Sequence, residues 1–227
     1  MVMNFKSEQK KYSRIKLAYQ EKYVLIQQLY HKHNLLLENS KIYLRAFKTE
    51  KILEVWAAPN EGNKPFQLII SYEFSAFSGV LGPKRKEGDL QIPEGIYHIN
   101  RFNPCSKFHL SLGINYPNKA DSFLSITNLG GDIFIHGDSF TVGCISITDD
   151  KIKELYILCV EAKNAGQKEI PVHLFPYRLN NPKHYNMLIK YPEHKKLWSE
   201  LKSIFSNFER TKLLAHVSIN KSIYSIK

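Results

Sequence analysis

The sequence predicts a mainly β fold with flanking helices, and two patterns support that prediction. From about residue 41, apolar and polar side chains alternate with the period of two that is typical of strands, as in KIYLRAF, and turn-forming stretches such as PNEGNK separate the runs. Near both ends of the chain the apolar period lengthens to that of an amphipathic helix. We therefore expect one globular unit with helical appendages.

Three segments carry the helical pattern. Residues 8–31 repeat apolar side chains every three or four positions, and residues 193–208 do the same near the other end of the chain. The stretch TDDKIKELYILCVEAKNAG (148–166) begins with N-terminal capping residues and ends at Gly166. We expect the first helix to pack on the domain, and a partner-binding helix is the alternative.

The charge of the chain excludes some functions. The 227 residues include 32 Lys and Arg against 21 Asp and Glu, which gives a net charge of +11, but the basic residues are scattered. This distribution favours a solvated basic surface with weak affinity for polyanions over a specific nucleic-acid site. No apolar run approaches the roughly 20 residues that span a bilayer. The N-terminal residues lack the apolar core of a secretory signal, so the chain is either cytoplasmic or preceded by a signal segment.

The cysteine count is odd, so at least one thiol is not in an intramolecular disulfide. Cys105, Cys144 and Cys159 show no CxxC spacing, which argues against a zinc site or a thioredoxin-like motif. Cys159 lies on the apolar face of a predicted helix and is expected in the core. Cys105 follows Asn-Pro in a turn and has no neighbouring base in the sequence.

The stretch IFIHGDSFTVGCISITDD (133–150) carries the chemistry. A predicted strand ends at His136, and Cys144 follows eight residues later. Eight extended residues would span roughly 26–29 Å, so the two side chains meet only if the chain reverses. The residue types between them permit reversal. A thiol beside an imidazole is the requirement for a cysteine nucleophile, and the alternative is a half-buried histidine and a small buried cysteine.

The same stretch resembles the signature of the L,D-transpeptidase (YkuD-like) family. In that signature a strand-end HG is followed by a short loop and an [S/T]-x-G-C element, here His136-Gly137 and Thr141-Val142-Gly143-Cys144. The TDDKIKELY that follows is similar to the TDxxIxELY of the murein transpeptidase-like amidase branch. Further similar blocks keep the order of that branch over about residues 40–220: GPKRKEGDLQIPEGIYHI, FHLSLGINYPN and LWSELKSIFSNFERT.

The resemblance implies a role for each matching residue. Cys144 is the nucleophile that forms a thioester, and His136 is the general base and later the general acid. The carbonyl of Gly137 orients the imidazole, and the N–H groups of Gly143 and Cys144 stabilise the oxyanion. This acyl transfer uses neither a metal nor another cofactor.

Five further residues are candidates for substrate binding. Lys84 and Arg85 lie in a Gly- and Pro-rich loop, where a cation could bind the carboxylates of a diaminopimelate stem, although surface charges on a turn are an equal alternative. His109, in a predicted strand, either lines the cleft or is a structural histidine. Ser139 and Thr141 belong to the loop that precedes the cysteine.

Two positions depart from the family pattern. Val142 stands where many members carry His or Arg, and Ser146 stands where Arg or Asn is usual. Both positions contact substrate or support the loop, so the departures leave the donor, the acceptor and the reaction direction open.

The resemblance also implies an architecture, an antiparallel β-sandwich with an N-terminal helix and a C-terminal helical extension. We expect an N-terminal helical segment at 1–39, the catalytic domain at 40–178, and a helix-strand extension packed on it at 179–227. The oligomeric state stays open.

The function implied is acyl transfer on peptidoglycan peptide stems. The alternatives are an amidase that hydrolyses a diaminopimelate-linked amide and a non-catalytic wall-binding module. The expected partners are peptide stems and a wall-attached protein, without nucleic acid. The implied location is the bacterial periplasm or cell envelope, with the signal peptide upstream of this chain.

Overall fold

A computed structural model describes residues 4–227 as helices packed on a curled sheet. The helices are α1 Phe5–Gln9, α2 Ser13–Lys32, α3 Lys119–Leu124, α4 Thr148–Asn164, α5 His184–Lys190 and α6 Lys195–Thr211. The strands are β1 Ser40–Phe47, β2 Ile52–Pro59, β3 Gln67–Glu73, β4 Gly95–Asn103, β5 Ser111–Ile114, β6 Phe134–His136, β7 Ile145–Ser146, β8 Pro171–Phe175, β9 Val217–Asn220 and β10 Ile223–Ile226. Residues 1–3 of the predicted N-terminal segment lie outside the described residues.

Eight strands form one sheet in the order β3-β2-β1-β8-β4-β5-β6-β7, and β9 pairs with β10 in a separate hairpin. Most neighbours are antiparallel, whereas β1–β8 and β6–β7 are parallel. The predicted class, a sandwich-like β fold with flanking helices, is confirmed, and its strands form a continuous curled sheet. The parallel pair β6–β7 lies at one end of this sheet.

The N-terminal helical pattern is divided between α1 and α2, with the break at residues 10–12. The apolar side chains of α2, including Ile15 and Tyr30, are buried in a core shared with α4 and the sheet. Cys159 of α4 is also fully buried there, as predicted. Helix α2 therefore packs on the domain. Within the described part of the chain, no helix is long and apolar enough to cross a bilayer.

The C-terminal extension shares a second core with the sheet. Trp198, Leu201 and Phe205 of α6 pack against Phe47 of β1 and Phe175 of β8. Burial of large aromatic side chains on both sides of this contact is a substantial stabilising term. The extension is thus held to the sheet by apolar packing.

A buried ion pair ties the loop before β4 to this second core. Lys48 Nζ lies 3.0 Å from Glu94 Oε1, and both side chains are almost fully buried. Lys48 Nζ also donates to the carbonyls of Gly82 (2.7 Å) and Ile92 (2.9 Å), while Glu94 Oε2 accepts from Trp198 Nε1 at 2.7 Å. The pair therefore fixes both ends of the 82–94 loop and links it to α6.

We predict that Glu94→Gln lowers the free energy of unfolding by about 3–5 kcal/mol, because it leaves the buried Lys48 ammonium without its counter-charge. Urea unfolding followed by circular dichroism measures the change. The double variant Lys48→Met/Glu94→Gln is the control, because it removes the unpaired charge and should recover part of the loss. A loss below 1 kcal/mol in Glu94→Gln would contradict this account.

Candidate active site

The parallel pairing of β6 with β7 sets the geometry of the site. Ile135 lies opposite Ile145, and His136 lies opposite Ser146. Ile135 and Ile145 are buried in the main core, so the alternation of strand side chains places His136 and Ser146 on the other face of the sheet. The chain between the strands reverses, and Cys144 stands at the head of β7.

The imidazole of His136 is held in one orientation. Nδ1 lies 2.5 Å from the carbonyl oxygen of Gly137, so Nδ1 carries the proton and donates it to that oxygen. The ring of Phe108 packs against the imidazole with centroids 4.7 Å apart. Burial lowers the pKa of His136, while the Gly137 carbonyl and Asp138 oppose that shift. The ring is therefore neutral at neutral pH, with Nε2 left as the acceptor.

The turn after His136 requires a glycine. Gly137 N–H donates to the Phe108 carbonyl at 3.2 Å, and Asp138 N–H donates to Asp149 Oδ1 at 2.8 Å. A Cβ at position 137 would lie 2.4 Å from Asp149 Oδ1 and 2.9 Å from the Phe108 oxygen. The close approach of α4 to this turn thus positions the carbonyl that holds the imidazole.

The sulfur of Cys144 lies beside the backbone of β6. Sγ accepts from Phe134 N–H at 3.4 Å and lies 3.6 Å from the carbonyl oxygen of Asp132. Burial raises the pKa of Cys144; the Phe134 N–H lowers it, Asp132 raises it, and Lys84 lowers it. Within residues 4–227, no hydrogen bond joins Sγ to the imidazole. The two groups are therefore a neutral thiol and a neutral base on adjacent strands, and not a preformed thiolate–imidazolium pair.

The two backbone N–H groups expected to bind an oxyanion are both occupied by hydroxyl groups. Gly143 N–H donates to Ser78 Oγ at 2.7 Å, and Cys144 N–H donates to Thr141 Oγ1 at 3.2 Å. Thr141 Oγ1 also donates to the Cys144 carbonyl at 2.9 Å, which closes a tight turn. Gly143 has φ +81°, a conformation that favours glycine. A substrate oxygen at the Gly143 N–H would have to take the place of the Ser78 hydroxyl.

Ser78 belongs to an irregular segment, residues 75–94, that covers the cysteine turn. Ser146 anchors the start of this segment: its Oγ accepts from Ala76 N–H at 3.0 Å, and its carbonyl accepts from Ser75 N–H at 2.8 Å. Ser75 Oγ in turn donates to the carbonyl of Asp138 at 2.6 Å. The serine at this departure from the family pattern is therefore a structural anchor for the covering segment.

The two loop cations are both engaged within the protein. Lys84 is buried, and its Nζ bonds to Asp89 Oδ1 at 2.7 Å and to the Lys86 carbonyl at 2.9 Å. The partly exposed Arg85 pairs with the buried Asp121 at 3.2 Å. In this structure Lys84 stabilises the loop, while Arg85 keeps part of its guanidinium in solvent. Their roles in substrate binding stay predictions.

His109 lies outside the predicted strand. It was expected in a strand, but it precedes β5 with φ +66°. Burial lowers the pKa of His109, with Asp149, Lys153 and Arg14 among the charged groups around it. Arg14 belongs to α2, and Asp149 and Lys153 belong to α4. Of the other two candidates, Ser139 is exposed in the loop and Thr141 closes the turn at Cys144.

Three residues of the site were not predicted from the sequence. Phe108 packs on the imidazole, Ser78 occupies the Gly143 N–H, and Asp149 binds the turn after His136. Asp149 was assigned only to the start of a helix. Phe108 and Ser78 lie far from His136 and Cys144 in sequence, and no local pattern distinguishes them.

Comparison with known proteins assigns the chain to a family. Residues 49–173 match the model of the YkuD L,D-transpeptidase catalytic domain. The chain belongs to this family. The Escherichia coli K12 protein named "Putative L,D-transpeptidase YafK" is 31% identical over 194 residues, which cover 84% of this chain and 75% of YafK. A peptidoglycan-related function of the L,D-transpeptidase type follows from this membership.

Solved structures of other proteins are more distant. The helical cell shape determining protein Pgp2 of Campylobacter jejuni is 20% identical, with a TM-score of 0.48 over 81% of this chain and 74% of Pgp2. Bd1075 of Bdellovibrio bacteriovorus is 19% identical, with a TM-score of 0.43 over 82% of this chain and 76% of the Bd1075 chain.

We predict that the Cys144 thiol of this YkuD-family domain reacts slowly at neutral pH. Because its pKa is raised above the ordinary 9.0, alkylation by iodoacetamide should accelerate at least about tenfold from pH 7 to pH 9.5 and still rise above pH 9. The measurement uses Cys105→Ser, since Cys159 is buried. Rapid labelling at pH 7 with a plateau below pH 8 would instead show a thiolate paired with His136.

We also predict that Gly137→Ala disturbs the imidazole. Its methyl group would collide with Asp149 and the Phe108 carbonyl, so stability should fall by roughly 1–3 kcal/mol. The His136 Nδ1 proton should also lose its hydrogen bond, which 15N NMR of the imidazole detects. Gly131→Ala is the matched control, because within residues 4–227 no heavy atom beyond Gly131 and its chain neighbours lies within 4 Å of its Cβ position. An unchanged His136 spectrum in Gly137→Ala would refute the close-approach argument.

Proposed function

We propose that this protein is a cysteine acyltransferase that acts on peptidoglycan peptide stems through a thioester on Cys144. The observation that carries the proposal is the β6–β7 pairing, which sets the imidazole of His136 and the sulfur of Cys144 on neighbouring strands. The neutral imidazole, whose Nε2 has no hydrogen-bond partner within the described residues 4–227, supports a general-base role. The family membership supports the substrate class.

The first half-reaction forms the acyl-enzyme. As the stem carbonyl carbon approaches Sγ, the thiol proton passes to His136 Nε2 and the S–C bond forms. The carbonyl oxygen takes the place of the Ser78 hydroxyl at Gly143 N–H, with Cys144 N–H as the second donor once Thr141 releases it. The C–N bond then breaks, and His136 returns its proton to the leaving amine.

The second half-reaction depends on the acceptor. An amine that attacks the thioester gives transpeptidation, whereas water gives hydrolysis; in both cases His136 accepts the proton of the attacking group and the thiol is regenerated. A wall-attached protein joined to diaminopimelate is one donor that the mechanism accommodates. We place the reaction in the cell envelope, where the net charge of +11 suits an acidic wall.

We predict that Cys144→Ala abolishes product formation from purified muropeptides, a decrease of at least about 10³-fold, because the nucleophile is removed. His136→Gln should decrease the rate about 10²- to 10⁴-fold through loss of the base. Liquid chromatography with mass spectrometry measures the products, with and without an added amine acceptor. Exchanged or cross-linked products identify a transferase, and cleavage alone identifies the amidase.

The matched control is Cys105→Ala, which removes an exposed thiol outside the site and should leave turnover unchanged. Melting temperatures and wall binding of the three variants should stay close to those of the parent protein. Full turnover by Cys144→Ala would refute the nucleophile assignment. Wall binding by the parent protein without any product would favour the non-catalytic module.

A further inference from the structure

A second feature of the catalytic face is a cation that the sequence patterns did not indicate. The pairing of β4, β5 and β6 sets Arg101 opposite Gly113 and Gly113 opposite Phe134, so these three residues share one row across the sheet. The row lies next to that of His136 on the same face. Arg101 therefore projects from the face that carries the catalytic groups.

The guanidinium of Arg101 is held in a defined position. Its Cζ lies 4.6 Å from the centroid of the Phe134 ring, and Nη2 bonds to Asp132 Oδ1 at 2.6 Å. Gly113 makes this possible, because a Cβ there would lie 3.1 Å from Arg101 Cβ and 3.2 Å from Arg101 Nε. The side chain thus crosses the vacant position on β5 and ends over β6.

This position brings the cation close to the proposed nucleophile. Phe134 lies under the guanidinium, and its backbone N–H donates to Cys144 Sγ. Asp132 is the ion-pair partner of Arg101, and its carbonyl oxygen lies beside the same sulfur. The guanidinium and the sulfur therefore share two neighbours, Phe134 and Asp132, although β5 and β6 lie between the backbones of Arg101 and Cys144. A substrate carbonyl at the sulfur would place the rest of the attacked residue within reach of Arg101.

Arg101 also remains available to a ligand. Its side chain is 50% exposed, and within residues 4–227 Nε and Nη1 have no hydrogen-bond partner. By contrast, Lys84 is buried in its pair with Asp89. A guanidinium with two free donors is suited to bidentate binding of a carboxylate.

We infer that Arg101 is a specificity residue that binds a free carboxylate on the stem residue whose carbonyl Cys144 attacks. The inference rests on the proposed function and names the residue of this chain that recognises the side-chain carboxylate of the donor. Asp132 holds the guanidinium in place before the ligand arrives. Phe134 keeps the donors directed toward the cleft.

The experiment compares two synthetic stems that differ only in that group, a free side-chain carboxylate or the corresponding carboxamide. The parent protein should turn over the carboxylate stem with a kcat/KM about 10- to 100-fold higher, a preference that comes from charge-assisted hydrogen bonds. Arg101→Met should abolish the preference by raising KM for the carboxylate stem, with kcat changed less than about threefold. Arg101→Lys should retain only part of it, since it lacks the planar fork.

Arg210→Met is the matched control, because this exposed arginine on α6 donates a hydrogen bond to Asn207 of its own helix and should keep the full preference. Gly113→Ala is a second variant that displaces the guanidinium without removing its charge, and it should also weaken the preference. A full carboxylate preference in Arg101→Met would overturn the inference. Detection of a Cys144 thioester in the same reactions tests the proposed function separately. If no thioester forms, Cys144 is not the nucleophile. The comparison of Arg101→Met with the parent protein still shows whether Arg101 causes the carboxylate preference.

Discussion

The catalytic arrangement depends on the two-residue parallel pairing of β6 with β7. Burial of Ile135 and Ile145 on the core side fixes the register, because a slip of one strand by one residue would turn its isoleucine to the other face. The same register directs His136 away from the core and sets Cys144 at the strand head. A short apolar contact thereby determines where the imidazole and the thiol lie.

The groups around His136 and Cys144 satisfy each other's hydrogen bonds without a substrate. The imidazole is neutral, the thiol is protonated, and hydroxyl groups of Ser78 and Thr141 satisfy the two oxyanion donors. Buried N–H groups without partners would be costly, so this pairing stabilises the cysteine turn. A substrate carbonyl that replaces the Ser78 hydroxyl exchanges one hydrogen bond for another, and the developing negative charge makes the new bond stronger.

Much of the fold was predictable from the sequence because its signals are local. The apolar period of α6 and the capping residues of α4 predicted these helices, and alternation predicted the strands of the sheet. The Gly137 carbonyl was expected from the family signature, and it lies at His136 Nδ1. The parallel pairing of β6 with β7 was not predictable, because two residues are too few for a periodic pattern.

Several contacts of individual side chains could not be predicted from the sequence. Lys84 was a candidate for substrate binding, and that role stays a prediction; the structure adds a bond from its Nζ to Asp89, five residues away. His109 was placed in a strand by alternation, whereas it precedes β5 in a left-handed backbone conformation. Ser78 meets the cysteine turn only through loop packing, and Arg101 joins the face of His136 only through strand order. Such side chains become recognisable only when the tertiary structure shows their neighbours.

Intact-protein mass spectrometry after rapid acid quenching tests the central claim most directly. When the protein is mixed with a defined peptide stem, the account predicts a transient mass increase equal to the acyl part of the stem. Peptide mapping should locate that increase on Cys144, and hydroxylamine should remove it as expected for a thioester. Product formation with no adduct on Cys144, or with an adduct on another residue, would contradict the account.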